Sequence, residues 1–473
     1  MGVAVGLGWW GLGRQGAMWR DESVTYQVAH RSLPEIVELL KHADAVHGLH
    51  YLLMHALFGV WEGGLIALRL PSVVATAVAA GLVAAIALRL TSRPAAGLAS
   101  GVVFAVLPEV QMYAQEGRSY AMVCALVALA SYVFVRIRLD GPTARRWVLY
   151  GLAVAAASLL HEFAVLVLLA HGITWYRAPG PGRRPRGFGL VAVAVVVVLL
   201  PLVVLSARQS AQVSWISGPA LREWAEIAGV AVLVAVCGRY LSRPPERREA
   251  DVPRLALPLA LAPTAALLAA AVHEPLYVDR YVLYTNIGVA LLTGTAAVRL
   301  LGRRPRGVRA AVAGGAAVVA VLALLPVSVQ MRTPDSRKDD VTALAHEVGR
   351  LARPGDAVLF APARRREWLL SYPAEYAGLH DLALRESPRA SGTLQGTERP
   401  AAEIARLLAG ADRVVVLSDP PGQPLDDTPG EIAKRHVLER EFTVCGRTDA
   451  KGGRVTLYAR AECPGTASGA PAP

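Results

Sequence analysis

A helix needs about 20 mostly apolar residues to cross the hydrocarbon core of a bilayer, and this chain carries such runs repeatedly. Phe188 to Ser206 reads FGLVAVAVVVVLLPLVVLS, and Leu65 to Leu88 and Ala311 to Val329 are of the same kind. Buried strands of a large α/β enzyme are also rich in Val and Leu. Strands are short and bounded by turns, however, and these runs are too long for them. With 54% of residues apolar, the chain reads as an all-α polytopic membrane protein over residues 1–330. About eleven spans fit, near 2–19, 67–88, 97–113, 119–138, 147–160, 161–176, 188–206, 224–241, 255–273, 281–300 and 308–330. The apolar segment from His50 to Val60 fits a half-buried helix at the membrane face.

The charge excess is a topology signal. Formal net charge is +12, from 49 Lys and Arg against 37 Asp and Glu. In a soluble chain this would suggest nucleic acid as partner. Here the cations sit in short clusters between apolar runs, such as Arg136, Arg138, Arg145 and Arg146, or Arg299, Arg303 and Arg304. Such clusters mark cytoplasmic loops, so no nucleic-acid partner is expected. The intervening connections, Glu109 to Arg118, His161-Glu162, 206–226 and 273–280, then fall outside. An odd span count places the N-terminus inside and residue 331 onward outside. The first apolar segment has no basic stretch ahead of it, so a cleaved signal peptide is not expected.

Hydropathy drops after Gln330. Helical spacing at Val341 to Arg353, Glu403 to Leu408 and Glu431 to Arg440 alternates with strand-like segments at Pro354 to Phe360, Asp412 to Ser418, Phe442 to Cys445 and Arg454 to Ala459. This alternation predicts a small α/β layer domain over 331–463, with a disordered end at 464–473. No Gly-rich phosphate loop follows either strong strand, so no catalytic role is expected for it. With this tail outside, a disulfide between Cys445 and Cys463 is open to it. Cys124 and Cys237 lie in apolar runs and read as small core residues.

Ionisable groups at membrane depth are expensive and usually functional, and several fall on the outer side. Asp21-Glu22 follow the first apolar segment. His47 and His50 precede the next one. Glu109, Gln115, Glu116 and Arg118 lie between two spans, and His161-Glu162 interrupt a third stretch. A carboxylate base close to cations suits transfer chemistry on an anionic, lipid-linked substrate. Arg118 and Arg280 are the cations whose guanidinium fork matches a phosphate. Glu116 could equally pair with Arg118, and an acidic pair at a helix end is often only a solvated boundary.

In this arrangement the chain resembles the GT-C superfamily of membrane glycosyltransferases, and within it the protein-mannosyltransferase-like family. Asp21-Glu22 match the acidic pair of that family's first outer loop. His47-Gly48-Leu49-His50-Tyr51 stand where a His-Pro-Pro-Leu-Tyr-Tyr type motif is usual, with both prolines replaced. Arg69-Leu70-Pro71-Ser72 follow, then Tyr113-Ala114-Gln115-Glu116-Gly117-Arg118-Ser119-Tyr120-Ala121, then His161-Glu162-Phe163, and finally Arg280-Tyr281. The resemblance implies inverting transfer of a sugar from a polyprenyl-phosphate donor to an acceptor on the extracytoplasmic face. Asp21 would deprotonate the acceptor and Glu22 would orient a substrate. Arg118, Arg280 and His161 would hold the donor phosphate. His47, His50, Tyr51, Tyr113, Gln115, Glu116 and Tyr281 would line the substrate cavity. The resemblance does not imply a required cofactor and leaves a divalent metal open. Glu and His ligands for a divalent metal are chemically available, and nothing in the sequence fixes one. A non-catalytic scaffold of the same fold and a lipid-linked sugar transporter are the alternatives, although no internal repeat of the transporter kind is present.

Overall fold

The computed structural model describes residues 1–177, 185–209, 218–243, 251–272, 275–460 and 463. The segment 464–473 expected to be disordered lies outside the described residues, as do parts of the connections at 206–226 and 273–280. The chain divides into two compact units. The first comprises 1–12, 44–50 and 66–329, and the second comprises 13–43, 51–65 and 330–473.

The first unit is helical. Among the described residues seven helices are long and apolar enough to cross a membrane: Gly64–Thr91, Tyr120–Asp140, Gly187–Arg208, Leu221–Ser242, Asp251–Ala270, Asp279–Gly302 and Gly307–Gln330. Pro94–Val106 and Pro108–Ala114 make an eighth if they count as one span bent by 65°. This is fewer than the eleven expected, and the reasons are local. The first segment is helical only over Gly2–Trp9, because Gly11 and Gly16 turn into positive φ, a conformation glycine adopts freely. The stretch 147–176 splits into Ala144–Leu160, a 3-10 turn at Glu162–Leu166 and Val167–Arg177, the first at the lower limit for a crossing and the last well short of it. Pro108 produces the bend by removing a backbone donor and disfavouring helix at Leu107.

Close approach of helices needs small residues. A Cβ on Gly294 would lie 2.6 Å from backbone atoms of Ser100, and one on Gly288 would lie 2.5 Å from the Ala256 carbonyl. By contrast, the apolar window of Gly307–Gln330 is 0% buried against protein. A helix apolar all round is stable when lipid covers it.

The second unit holds an α/β layer. Its strands are β1 (Ala357–Ala361), β2 (His380–Asp381), β3 (Leu384–Glu386), β4 (Thr397–Glu398), β5 (Arg413–Ser418), β6 (Thr443–Ala450) and β7 (Gly453–Ala459). The main sheet runs β2-β1-β5-β7-β6, and β3 pairs with β4 apart from it. β1 is parallel to β2 and β5, while β7 is antiparallel to β5 and β6. Successive strand side chains point to opposite faces. Val358, Phe360, Val415 and Leu417 accordingly pack on Val341, Leu344 and Val348 of the helix Val341–Leu351. Ala357, Leu359, Val414 and Val416 pack on Ile404, Leu408, Val437 and Leu438 of the opposite helices. Two covered faces explain why VVVL in β5 is apolar without alternation. Cys445 and Cys463 are disulfide-bonded.

The same unit contains the helix Arg20–Ala29, here termed the acid helix. Its Val24 and Val28 share a core with Ile36, Leu39, Ala43 and Tyr51.

Candidate active site

In the first unit, chain breaks rather than regular helix present the polar side chains. His161 is extended (φ −163°, ψ 117°), where Ala144–Leu160 ends. Arg280 and Tyr281 lie in the 3-10 stretch Asp279–Thr285. Gln115 to Ser119 form the turn ahead of Tyr120–Asp140, and His47 closes a short 3-10 turn. Such breaks free backbone groups and aim side chains off the helix axis.

These breaks converge. The His161 and Tyr281 rings are 4.5 Å apart, and Phe163 stacks on Tyr281 at 5.5 Å. His47 lies 5.9 Å from His161 and 6.5 Å from Tyr120. Arg280 Nε donates to Tyr120 Oη at 3.1 Å. Its guanidinium sits over the Tyr120 and Tyr281 rings at 5.7 and 5.6 Å, a cation–π arrangement. Tyr113 Oη donates to Asp279 at 3.1 Å, and Asp279 also accepts from the Arg280 amide at 2.7 Å. Burial and the nearby Arg118 hold the His47 pKa well below the usual imidazole range, with His161, His50 and Arg280 adding to the effect. His47 is therefore neutral in a field set by two arginines.

One atom points to a ligand. His161 is 3% exposed, and its Nδ1 has no hydrogen-bond partner among the described residues. Leaving a buried polar group unsatisfied costs about 1–3 kcal/mol, which an anionic or hydroxyl oxygen in the cluster would recover.

The other expected residues have more local partners. Gln115 Nε2 donates to the carbonyls of Gly8 and Trp10 at 2.9 and 2.6 Å, which ties the turn to the first helix. His50 Nε2 donates to the Gly117 carbonyl at 3.2 Å. Ser72 Oγ, from the Arg-Leu-Pro-Ser segment, donates to the Glu116 carbonyl at 2.6 Å. Glu116 is fully buried. Glu162 accepts from Ser206 at 2.8 Å, and Glu109 from Asn286 at 2.8 Å.

Asp21, Glu22 and Tyr51 belong to the second unit. Asp21 and Glu22 occupy the first turn of the acid helix, where negative charge is favoured by the helix dipole. Asp21 is half-buried. Glu22 is committed to Arg14 at 3.2 Å, with both side chains at most 1% exposed. Tyr51 is fully buried in the apolar core below the helix.

A family described as dolichyl-phosphate-mannose-protein mannosyltransferase matches residues 46–207, less than half of the chain. No curated protein sequence matches. Among solved structures, ArnT from Cupriavidus metallidurans in the apo state is similar at a TM-score of 0.59 and 12% identity, over 96% of each chain. The same protein bound to undecaprenyl phosphate gives 0.58 and 11%, again over 96% of each. The archaeal oligosaccharyltransferase AglB from Archaeoglobus fulgidus, in complex with an inhibitory peptide and a dolichol-phosphate, gives 0.53 at 10%, over 88% of this chain and 69% of that one. At these identities the likeness is one of fold, shared with the ArnT and AglB structures.

Three cluster members carried no assigned role from sequence: Asp279, Tyr120 and Phe163. Asp279 adjoins Arg280, whereas Phe163 and Tyr120 lie inside the His161-Glu162-Phe163 and Tyr113 to Ala121 segments. Adjacency was the available signal. Among the described residues, no three His, Cys, Asp or Glu side chains are grouped so as to hold a metal ion.

Proposed function

We propose that the protein is a membrane glycosyltransferase that moves a sugar, with inversion, from a polyprenyl-phosphate donor to an extracytoplasmic acceptor. The observation that carries the reading is the cluster of buried His47, His161 and Arg280 with half-buried Tyr281 under the influence of Arg118, in a fold shared with a protein solved with undecaprenyl phosphate. In this mechanism Asp21 takes the proton of the acceptor hydroxyl. The acceptor oxygen attacks the anomeric carbon from the face opposite the phosphate. The bond from that carbon to the phosphate oxygen breaks, and the lipid phosphate leaves with one more negative charge. Arg118, Arg280 and His161 stabilise that charge where it develops, which is where fixed donors contribute most. Asp21 is assigned by its place in the acidic pair, and Glu22 supports it through the Arg14 pair.

The arginine clusters support an orientation with the second unit's C-terminal segment outside. The Cys445–Cys463 disulfide fits the same side, since disulfides persist in oxidising compartments. The test is transfer of labelled sugar from synthetic polyprenyl-phosphate hexose and pentose donors by purified protein in vesicles. Transfer by the wild type and its loss in Arg280→Ala are expected. Absence of transfer from every donor would favour a scaffold of the same fold.

A further inference from the structure

The acid helix lacks a cap of its own. The residue before it is Trp19, whose side chain accepts nothing, and no side-chain cap is made from that position. The first backbone donors of a helix need partners, and here the partner comes from the other end of the chain. Asp339 Oδ1 accepts from the Arg20 amide at 2.7 Å, across 319 positions of sequence.

Further contacts surround Asp21 on both sides, all within the second unit. Arg20 Nε donates to Glu367 Oε1 at 2.5 Å, and the Glu367 side chain is 2% exposed. The Met18 amide donates to Thr342 Oγ1 at 2.8 Å, and the Val341 amide returns a bond to the Met18 carbonyl at 2.9 Å. The hydroxyls of Ser23 and Ser371 meet at 2.7 Å, and Ser371 Oγ donates to the Ser23 carbonyl at 3.0 Å. Residues 18, 20 and 23 are thus each fastened to the segment 339–371, with Asp21 between them. Further along, Arg31 Nη2 donates to the Thr393 carbonyl at 2.9 Å.

We infer that Asp339, Glu367 and Ser371 are positioning residues for Asp21, so that the C-terminal α/β segment is a working part of the enzyme. The inference rests on Asp21 being the base. A general base must reach its proton within about 2.6–3.2 Å, and an uncapped first turn frays on that scale. The tail holds no chemistry of its own in this inference; it sets where the chemistry stands.

The test uses the full-length protein in vesicles, with Asp339→Ala, Asp339→Asn and Ser371→Ala. Two readouts are taken: amide hydrogen exchange over residues 19–25, and kcat with donor KM. Loss of a capping acceptor typically lowers local stability enough for about 10-fold faster exchange. Asp339→Ala should therefore speed exchange over 19–25 by about that factor and lower kcat by about 10-fold, with donor KM within about twofold. Asp339→Asn keeps an acceptor for the Arg20 amide and should recover most of both. If Asp339→Ala does not insert, Ser371→Ala carries the test, with an expected kcat loss of about threefold. The inference is overturned if exchange and kcat of the alanine variants stay at wild-type values, or if Asp339→Asn is as impaired as Asp339→Ala. A wild type without transfer would sink the enzymatic reading, while unchanged exchange in the variants would sink the anchoring itself.

Discussion

Tyr120→Phe removes one oxygen from the cluster and leaves the ring. The ring contacts to His161 at 5.6 Å and to the Arg280 guanidinium at 5.7 Å remain. What disappears is the acceptor for Arg280 Nε at 3.1 Å. A hydrogen bond to a charged group is worth about 1.5–3 kcal/mol, or roughly 10–100-fold at about 1.4 kcal/mol per decade. Because the cation–π contacts still restrain Arg280, the expected loss in kcat/KM for the donor lies at the lower end, about 10-fold. Both donor KM and kcat should worsen, since the leaving phosphate carries more charge than the bound one. A matched control is Tyr150→Phe. Tyr150 is fully buried, and its hydroxyl meets His171 Nδ1 at 3.0 Å in a separate aromatic group. It imposes a similar loss of a buried hydrogen bond and should leave kcat/KM within about threefold. The assay is single-turnover and steady-state sugar transfer with titrated donor, on protein checked for insertion. If Tyr120→Phe retains wild-type kcat/KM, or Tyr150→Phe falls as far, the aim of Arg280 does not matter to the phosphate and the cluster is only packing.

Asp21→Asn should lower kcat by about 10²–10⁴-fold while donor KM changes little, because the base is lost and the phosphate contacts remain; steady-state kinetics in vesicles decide it. Glu22→Ala removes the carboxylate that pairs with buried Arg14 and should destabilise the second unit by about 3 kcal/mol, seen as earlier thermal unfolding, whereas a variant that unfolds like wild type refutes a structural role for the pair. Burial raises the Asp339 pKa to about 6, against the pull of the Arg20 amide, with Asp21 raising it further and Arg20 and Arg365 lowering it. The folded state then binds its proton more readily than the unfolded state, so its favourable contribution is present at acid pH and lost as pH rises through about 6. The unfolding-temperature difference between wild type and Asp339→Asn should shrink or reverse across that range, and a pH-independent difference rules this out. Thiol labelling of Cys445 on intact cells should require prior reduction; labelling without a reductant would contradict the bonded pair.

Much of the fold was legible because its signals are local. Apolar length gave the long helices, and the loss of it after Gln330 gave the α/β segment. The runs 357–361 and 413–418 were readable as strands, since an apolar stretch covered on both faces needs no alternation. Span count was less legible, because a bent pair at Pro108 and a 3-10 break at His161 leave hydropathy almost unchanged while ending helices. The cluster residues were visible through motif order, but their partners were not: nothing near Tyr113 in sequence announces Asp279, and nothing near Arg280 announces Tyr120. Least visible was the fastening of residues 18–31 to 339–393, which depends on single hydrogen bonds between distant segments rather than on any periodicity.

That long-range cap also sets an order of assembly. A ribosome adds about 5–20 residues per second, so the 319 positions between Arg20 and Asp339 take roughly 16–64 s to make. Throughout that interval the acid helix has emerged without its cap, while the apolar runs behind it enter the membrane one after another. Its first turn gains that acceptor only when the last part of the chain has been exported and folded. On the inference above, Asp21 stays loosely held during biogenesis, and a chain interrupted before its α/β segment is finished is expected to carry every motif residue and yet transfer poorly.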